Sequence, residues 1–266
     1  MSKPTEPTSP FDLAGKTALV TGGSGYLGLA FCNSLAAAGA RVVVGSRSES
    51  RAQQVADALQ NRSGVEHLGV ALDYRDDQAI EQGFSDAISR AGAIDVLVNN
   101  GHILDARDWT TVDGPGFDQQ MRNATGYFLL ARLFRDAAVA KQMPGSIVML
   151  GSMYGRVASY PEVYDGIGPA SSVAYQCLKG GVAQMVRHLS VYWAKDRIRV
   201  NALSPGPFPN PEGAPAELVA RLEQKSPMGR IGRAEEIGGP LVFLCSDASS
   251  YVTGHNLMVD GGWTAW

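Results

Sequence analysis

The chain has 266 residues, of which 45% are hydrophobic and 18% charged, with a net charge of -3. That is enough chain for one large α/β domain with a sizeable core, and the balance of charge argues against nucleic acid as a partner. No apolar run reaches the length that crosses a bilayer, and the Pro-rich start lacks the apolar stretch of a secretory leader, so the sequence points to a cytoplasmic protein with no membrane partner.

Residues 1–10 read as a disordered tail and residues 11–266 as one domain. The three cysteines, Cys32, Cys177 and Cys245, are widely separated and read as buried thiols of a reducing compartment. The histidines His67, His102, His188 and His255 show no metal-ligand spacing, so no metal is expected.

Along the chain, short β-branched runs at 17–21, 41–45, 66–71, 94–99, 146–150, 198–203 and 256–259 predict strands. Segments of helical period at 27–38, 50–60, 77–91, 117–141, 173–195 and 234–245 alternate with them. Strand and helix in turn imply a doubly wound parallel sheet covered on both faces and joined by right-handed crossovers. Near-continuous apolar strands such as Val42-Val43-Val44 suit a sheet buried on both sides.

The first predicted strand runs into Thr21-Gly22-Gly23-Ser24-Gly25-Tyr26-Leu27-Gly28 and then a helix. Glycines at such a turn let backbone approach a pyrophosphate, whose charge the exposed amides and the positive end of the helix dipole would bind. The end of the second strand then chooses the dinucleotide. An acid there would hold the ribose hydroxyls of NAD, but Val44-Gly45-Ser46-Arg47-Ser48 offers a cation and no acid until Glu49. NADP(H) is therefore favoured, with Ser46 and Arg47 on the 2′-phosphate, and NAD(H) stays open.

Further along come Asn123, the Gly151-Ser152 turn, and Tyr175 followed four residues later by Lys179. Residues at i and i+4 share one helix face, which brings the ammonium beneath the phenol. A positive charge there is expected to lower the phenol from its usual pKa of about 10 and make Tyr175 a workable general acid or base.

With these residues in order, the chain resembles the short-chain dehydrogenase/reductases, in their short single-domain branch, over residues 13–262. The resemblance implies one Rossmann-type sheet of about seven strands. It gives Asp73, with Tyr74 beside it, to the adenine, and makes Asn99 and Gly101 part of the cofactor-binding set. It makes Asn123 the anchor of a water in the proton path and Ser152 the partner of the substrate oxygen. Tyr175 becomes the acid/base and Lys179 the ribose-binding cation, while Pro205, Gly206 and Phe208 form the loop around the nicotinamide. Pairing of the helices at 117–141 and 173–195 into a homodimer or homotetramer is implied too, with Tyr192 and Trp193 near that contact.

Three departures from the family pattern stand out. Tyr26 occupies a glycine position, so the spacing Gly22, Gly25, Gly28 is closer to that of the extended epimerases and dehydratases, which retain NAD. His102 follows Gly101 where a glycine is usual and is a candidate substrate contact. The stretch from 153 to 174 is long, and its Met153, Tyr154, Tyr160 and Tyr164 are further substrate candidates. The leading function is interconversion of a ketone and a secondary alcohol, the substrate being a sugar derivative or a 3-oxoacyl group. An epimerase or dehydratase and a non-catalytic dinucleotide-sensing module are the rivals.

Overall fold

The computed structural model describes residues 9–62, 64–103 and 107–266. Its strands are β1 (Thr17–Thr21), β2 (Arg41–Ser46), β3 (Leu68–Ala71), β4 (Val96–Asn99), β5 (Gly145–Leu150), β6 (Ile198–Pro205) and β7 (Asn256–Val259). They form one parallel sheet in the order β3-β2-β1-β4-β5-β6-β7. The helices are α1 (Tyr26–Ala37), α2 (Glu49–Ala58), α3 (Asp77–Ala91), α4 (Gly114–Ala140), α5 (Pro161–Tyr164), α6 (Val173–Trp193), α7 (Ala216–Lys225) and α8 (Gly238–Cys245).

Side chains that alternate along each strand feed two separate cores, which is why the strands are apolar throughout. Leu19, Val43, Leu97 and Ile147 pack on one face with residues of α3, α4 and α6. Their neighbours Ala18, Val20, Val42, Val44, Val96, Val98 and Val148 pack on the other with α1, α2 and α8. The chain winds outward from β1 to β3 and then crosses to β4 on the opposite side of β1. A crevice therefore opens at the carboxyl ends of β1 and β4, where ligands of open α/β sheets bind.

Several boundaries differ from the sequence reading for local reasons. β3 starts at Leu68 because His67 turns its Nδ1 to accept from the Val42 N–H at 3.0 Å, replacing a ladder bond. β4 starts at Val96 because the Asp95 carboxylate accepts from Thr17 N at 2.9 Å. α4 begins before residue 117, with Asp113 capping Gly116 N and Pro115 in the first turn. The expected helix at 234–245 is a 3-10 turn, Ala234–Ile237, followed by α8, since Gly238, Gly239 and Pro240 interrupt the regular pattern. α7, which follows a Pro-rich stretch, had no counterpart in the reading.

The Pro10 carbonyl accepts from Ala248 N at 2.9 Å, so the chain is tied to the domain by that point; the rest of the expected tail, residues 1–8, lies outside the described residues. Of the cysteines, Cys32 and Cys245 are buried, which pushes both thiols up to about 12, but Cys177 is exposed on the outer face of α6 and is not the buried thiol expected. Among the described residues no helix is long and apolar enough to cross a membrane.

Candidate active site

The turn after β1 is built for close backbone approach. Gly22 has φ +60°, the left-handed region, and a Cβ on Gly28 would stand 2.0 Å from the Gly22 carbonyl oxygen. Gly25 caps α1 without a side-chain bond, which leaves the first-turn amides and the positive helix end facing the crevice. Ser24 and Ser46 join the turn to the end of β2 through a 3.0 Å hydroxyl contact, and Leu27 packs on the apolar cluster behind it. Tyr26 turns away from the turn toward the 234–237 segment: its phenol accepts from Ala234 N–H, and burial, with the Glu235 charge adding to it, raises its pKa. A side chain at this glycine position is thus accommodated outside the turn, and the spacing that suggested an epimerase has a local explanation.

Cations cluster at the ends of β2 and β3. Arg75 holds the Asp73 carboxylate below its ordinary pKa by a multidentate hydrogen bond, against the effect of burial, and Arg47 contributes a further lowering charge. Arg51 reaches the Ser24 carbonyl at 3.5 Å. Arg51 and Arg75 were missed in the sequence; Arg75 had a visible signal in its Asp-x-Arg spacing. The cluster Arg47, Arg51, Arg75 with Ser24 and Ser46 fits a phosphorylated ribose, and the glycine turn fits a pyrophosphate, so the residues present suit a nicotinamide dinucleotide.

Tyr74, Asn99 and Gly101 meet directly behind the glycine turn. Tyr74 is buried, its phenol 2.6 Å from Thr21 Oγ1 and donating to Asn99 Oδ1 at 2.8 Å. Its ring packs so tightly on Gly101 that a Cβ there would lie 2.1 Å from Tyr74 Cε2. The Asn99 amide donates to Tyr127 O, and Asn100 Nδ2 donates to the carbonyls of Thr21 and Gly22. These side chains are turned into the fold, where hydrogen bonding holds them, and they brace the glycine turn against β4.

The catalytic candidates meet where β5 ends and α6 begins. Ser172 caps α6 by accepting from Tyr175 N at 3.1 Å, which sets Tyr175 in the first turn. Ser152 acts as hydrogen-bond partner of the Tyr175 phenol, and one helical turn on Lys179 lies over the ring, 5.6 Å from Nζ to centroid. Lys179 Nζ donates to Leu150 O at 2.7 Å, and its pKa falls to about 7 through burial. The expected lowering of Tyr175 is not what this geometry gives: burial raises the phenol, Ser152 pulls it down, and the neighbouring Tyr164 raises it further. Burial of the phenol outweighs the lowering effect of the Ser152 hydrogen bond.

Asn123 is fully buried on α4, and its side chain is engaged with backbone: Oδ1 accepts from Ile103 N at 2.7 Å, and Nδ2 donates to Ile103 O and Gln120 O. It clamps the segment after β4 to α4.

His102 and the 153–164 segment complete the surroundings of Tyr175. The His102 ring stands edge to face with Tyr175, centroids 5.4 Å apart, and its Nε2 lies 3.1 Å from Gln120 Nε2. Burial, reinforced by the Lys179 charge, lowers its pKa to about 3, so the imidazole is neutral. Met153 and Tyr154 are buried in an aromatic cluster with Val163, Leu222 and Trp263, against which Tyr160, Tyr164 and Tyr175 pack. Pro205 and Gly206 end β6 alongside, with Gly206 N donating to Val259 O, and Phe208 lies flat on Gly232. Among the described residues no cluster of potential metal ligands occurs.

The family described as Enoyl-(Acyl carrier protein) reductase matches residues 25–264. Galactitol 2-dehydrogenase (L-tagatose-forming) of Cereibacter sphaeroides is 34% identical, covering 96% of this chain and 98% of its own length. Cis-4-hydroxycyclohexanecarboxylate dehydrogenase of Sinomonas cyclohexanicum is 35% identical over 95% and 98%. A gluconate 5-dehydrogenase from Burkholderia cenocepacia, solved in complex with NADP and tartrate, superposes with a TM-score of 0.86 at 29% identity over 97% and 98% of the two chains. The chain belongs to the short-chain dehydrogenase/reductase family and is an NAD(P)-dependent oxidoreductase interconverting ketones and alcohols.

Proposed function

We propose that the enzyme prefers NADP(H) and acts on a small polyhydroxylated ketone or its alcohol, with Tyr175 as the proton donor and acceptor. The observation that carries the reading is the meeting of Ser152, Tyr175 and Lys179 at the ends of β5 and α6, beside the crevice that the glycine turn and cation cluster open.

A nicotinamide dinucleotide held by the glycine turn and the cation cluster would supply or accept the hydride at the carbonyl carbon. In reduction, Tyr175 gives its phenolic proton to the carbonyl oxygen, which Ser152 holds in place. Two hydroxyl donors aimed at one oxygen stabilise the alkoxide as it forms, and their fixed positions remove part of the entropic barrier. A phenol raised by burial is protonated at neutral pH, the state a donor needs. Lys179, buried over the ring with a pKa of about 7, carries a positive charge in its ammonium form that stabilises the phenolate left when Tyr175 has given up its proton. In oxidation the same groups run in reverse.

Arg47, next to Ser46, and Arg51, at the Ser24 carbonyl, support the NADP(H) preference, with Arg75 paired to Asp73 beside them. The galactitol and gluconate dehydrogenases among the relatives support a polyol or sugar-acid substrate. Pairing through α4 and α6 is supported by Val191 and Tyr192, which α6 leaves 76% and 61% exposed. A cytoplasmic location completes the reading.

Absorbance of the reduced nicotinamide, followed with a panel of ketoses, 3-oxoacyl thioesters and steroid ketones, tests it. Consumption of NADPH with ketoses is the expected result. An absence of consumption with every carbonyl would remove the oxidoreductase reading of this site.

A further inference from the structure

The segment between Ser152 and Tyr175 places two phenols in contact within the aromatic cluster against which Tyr175 packs. Tyr154 Oη and Tyr164 Oη are 2.6 Å apart, and among the described residues neither has another hydrogen-bond partner. A phenol pair has two O–H protons and only one is used between them, so one O–H donor and several lone pairs remain directed elsewhere. Tyr154 is tied directly to the reacting group, its backbone N–H donating to Ser152 Oγ at 3.1 Å. Tyr164 and Tyr175 pack against the same aromatic cluster that buries Tyr154.

The position of Tyr164 is imposed from outside the sheet. Arg221 on α7 donates to the carbonyls of Glu162 and Asp165 at 2.9 and 2.7 Å, and Lys225 pairs with Glu162 at 2.8 Å and lies over the Tyr160 ring. Tyr160 in turn packs on Trp263, ring centroids 5.5 Å apart. α5 is thus latched to α7 from both ends of its short length, and its last residue, Tyr164, is held against the aromatic cluster on which Tyr175 also packs.

We propose that the Tyr154–Tyr164 phenol pair is a second hydroxyl-reading subsite beside Ser152 and Tyr175, and that it selects ketones bearing a hydroxyl on a carbon next to the carbonyl. The inference rests on the proposed ketone reduction at Tyr175 and deepens it. A carbonyl oxygen held by Ser152 and Tyr175 places the flanking carbons of the substrate along the pocket wall, where the pair offers both a donor and an acceptor. A hydroxyl matches both at once. A ketone lacking it leaves the remaining phenolic O–H facing apolar substrate, which costs free energy and is the basis of discrimination.

The test compares kcat/KM for a 2-ketose with its 1-deoxy and 3-deoxy counterparts, and for 3-hydroxybutan-2-one with butan-2-one, in the wild type, Tyr164→Phe and Tyr154→Phe. The wild type is expected to favour the hydroxylated member, and each variant to reduce that ratio about tenfold to hundredfold, chiefly through KM. A merely structural phenol pair would lower both members alike and leave the ratio unmoved, which would overturn the proposal. Equal use of both members by the wild type, or reduction of neither, would overturn it as well. In both cases oxidation of NADPH or NADH by any other ketone of the panel keeps the general reading of the site intact, so the two failures are distinguishable.

Discussion

Lys179 Nζ donates to the carbonyl of Leu150 at 2.7 Å while lying 5.6 Å over the ring of Tyr175. One ammonium therefore joins the last residue of β5 to the first turn of α6, fixing the segment that carries Ser152 relative to the phenol. Gly155 shows how close this junction is, since a Cβ there would stand 2.6 Å from the Lys179 carbonyl oxygen. The arrangement is held in part by a charge taken out of water, which is a source of instability.

That cost has a pH signature. The folded pKa of Lys179 lies at about 7, below the ordinary lysine value of 10.5. Below about pH 7 both folded and unfolded states carry the proton and the full burial penalty applies. Above the ordinary value both are neutral and the penalty is gone, so this group makes stability rise with pH in between. Against Lys179→Met, urea denaturation should show the wild type gaining up to about 1.4 kcal/mol per pH unit between pH 7.5 and 9.5. Parallel stability curves for the two proteins would contradict the assignment.

Arg47→Asp tests the cofactor preference. It replaces a cation with a carboxylate beside Asp73, whose own charge Arg47 now helps to hold. Loss of a charge-assisted hydrogen bond predicts that the NADPH to NADH ratio of kcat/KM drops about tenfold to hundredfold. An unchanged ratio would take Arg47 out of the phosphate site.

Tyr74→Phe removes one hydroxyl that two buried partners share, Thr21 Oγ1 and Asn99 Oδ1. Leaving Asn99 Oδ1 without its donor should cost about 1–3 kcal/mol in denaturant unfolding, with weakened dinucleotide binding as the glycine turn loosens. A loss below about 0.5 kcal/mol would mean that the brace is unimportant.

The parallel sheet and its switch point were legible because periodicity alone separates Val42-Val43-Val44 from the helix that follows. Tyr175 and Lys179 were legible as a pair because i and i+4 fix their face on a helix whatever surrounds it. What the sequence hid was direction. Tyr74 and Asn99 are polar residues beside the crevice, and nothing local says that their side chains turn inward to each other. The raised phenol of Tyr175 was hidden for the same reason, since its burial depends on how the 153–164 stretch folds back and on Trp263, which arrives from the far end of the chain. α7 was obscured by Pro207, Pro209, Pro211 and Pro215 just ahead of it, and with it the latch that Arg221 and Lys225 apply to α5.

The Tyr175 phenol is proposed to carry the proton to and from the substrate oxygen. Single-turnover absorbance of the reduced nicotinamide with wild type and Tyr175→Phe, together with calorimetric titration of the same dinucleotide, tests it most directly. Loss of turnover by a factor of about 100 or more, with dinucleotide affinity kept, is the predicted result. Turnover within a few-fold of wild type in a Tyr175→Phe protein that still binds the dinucleotide would contradict it.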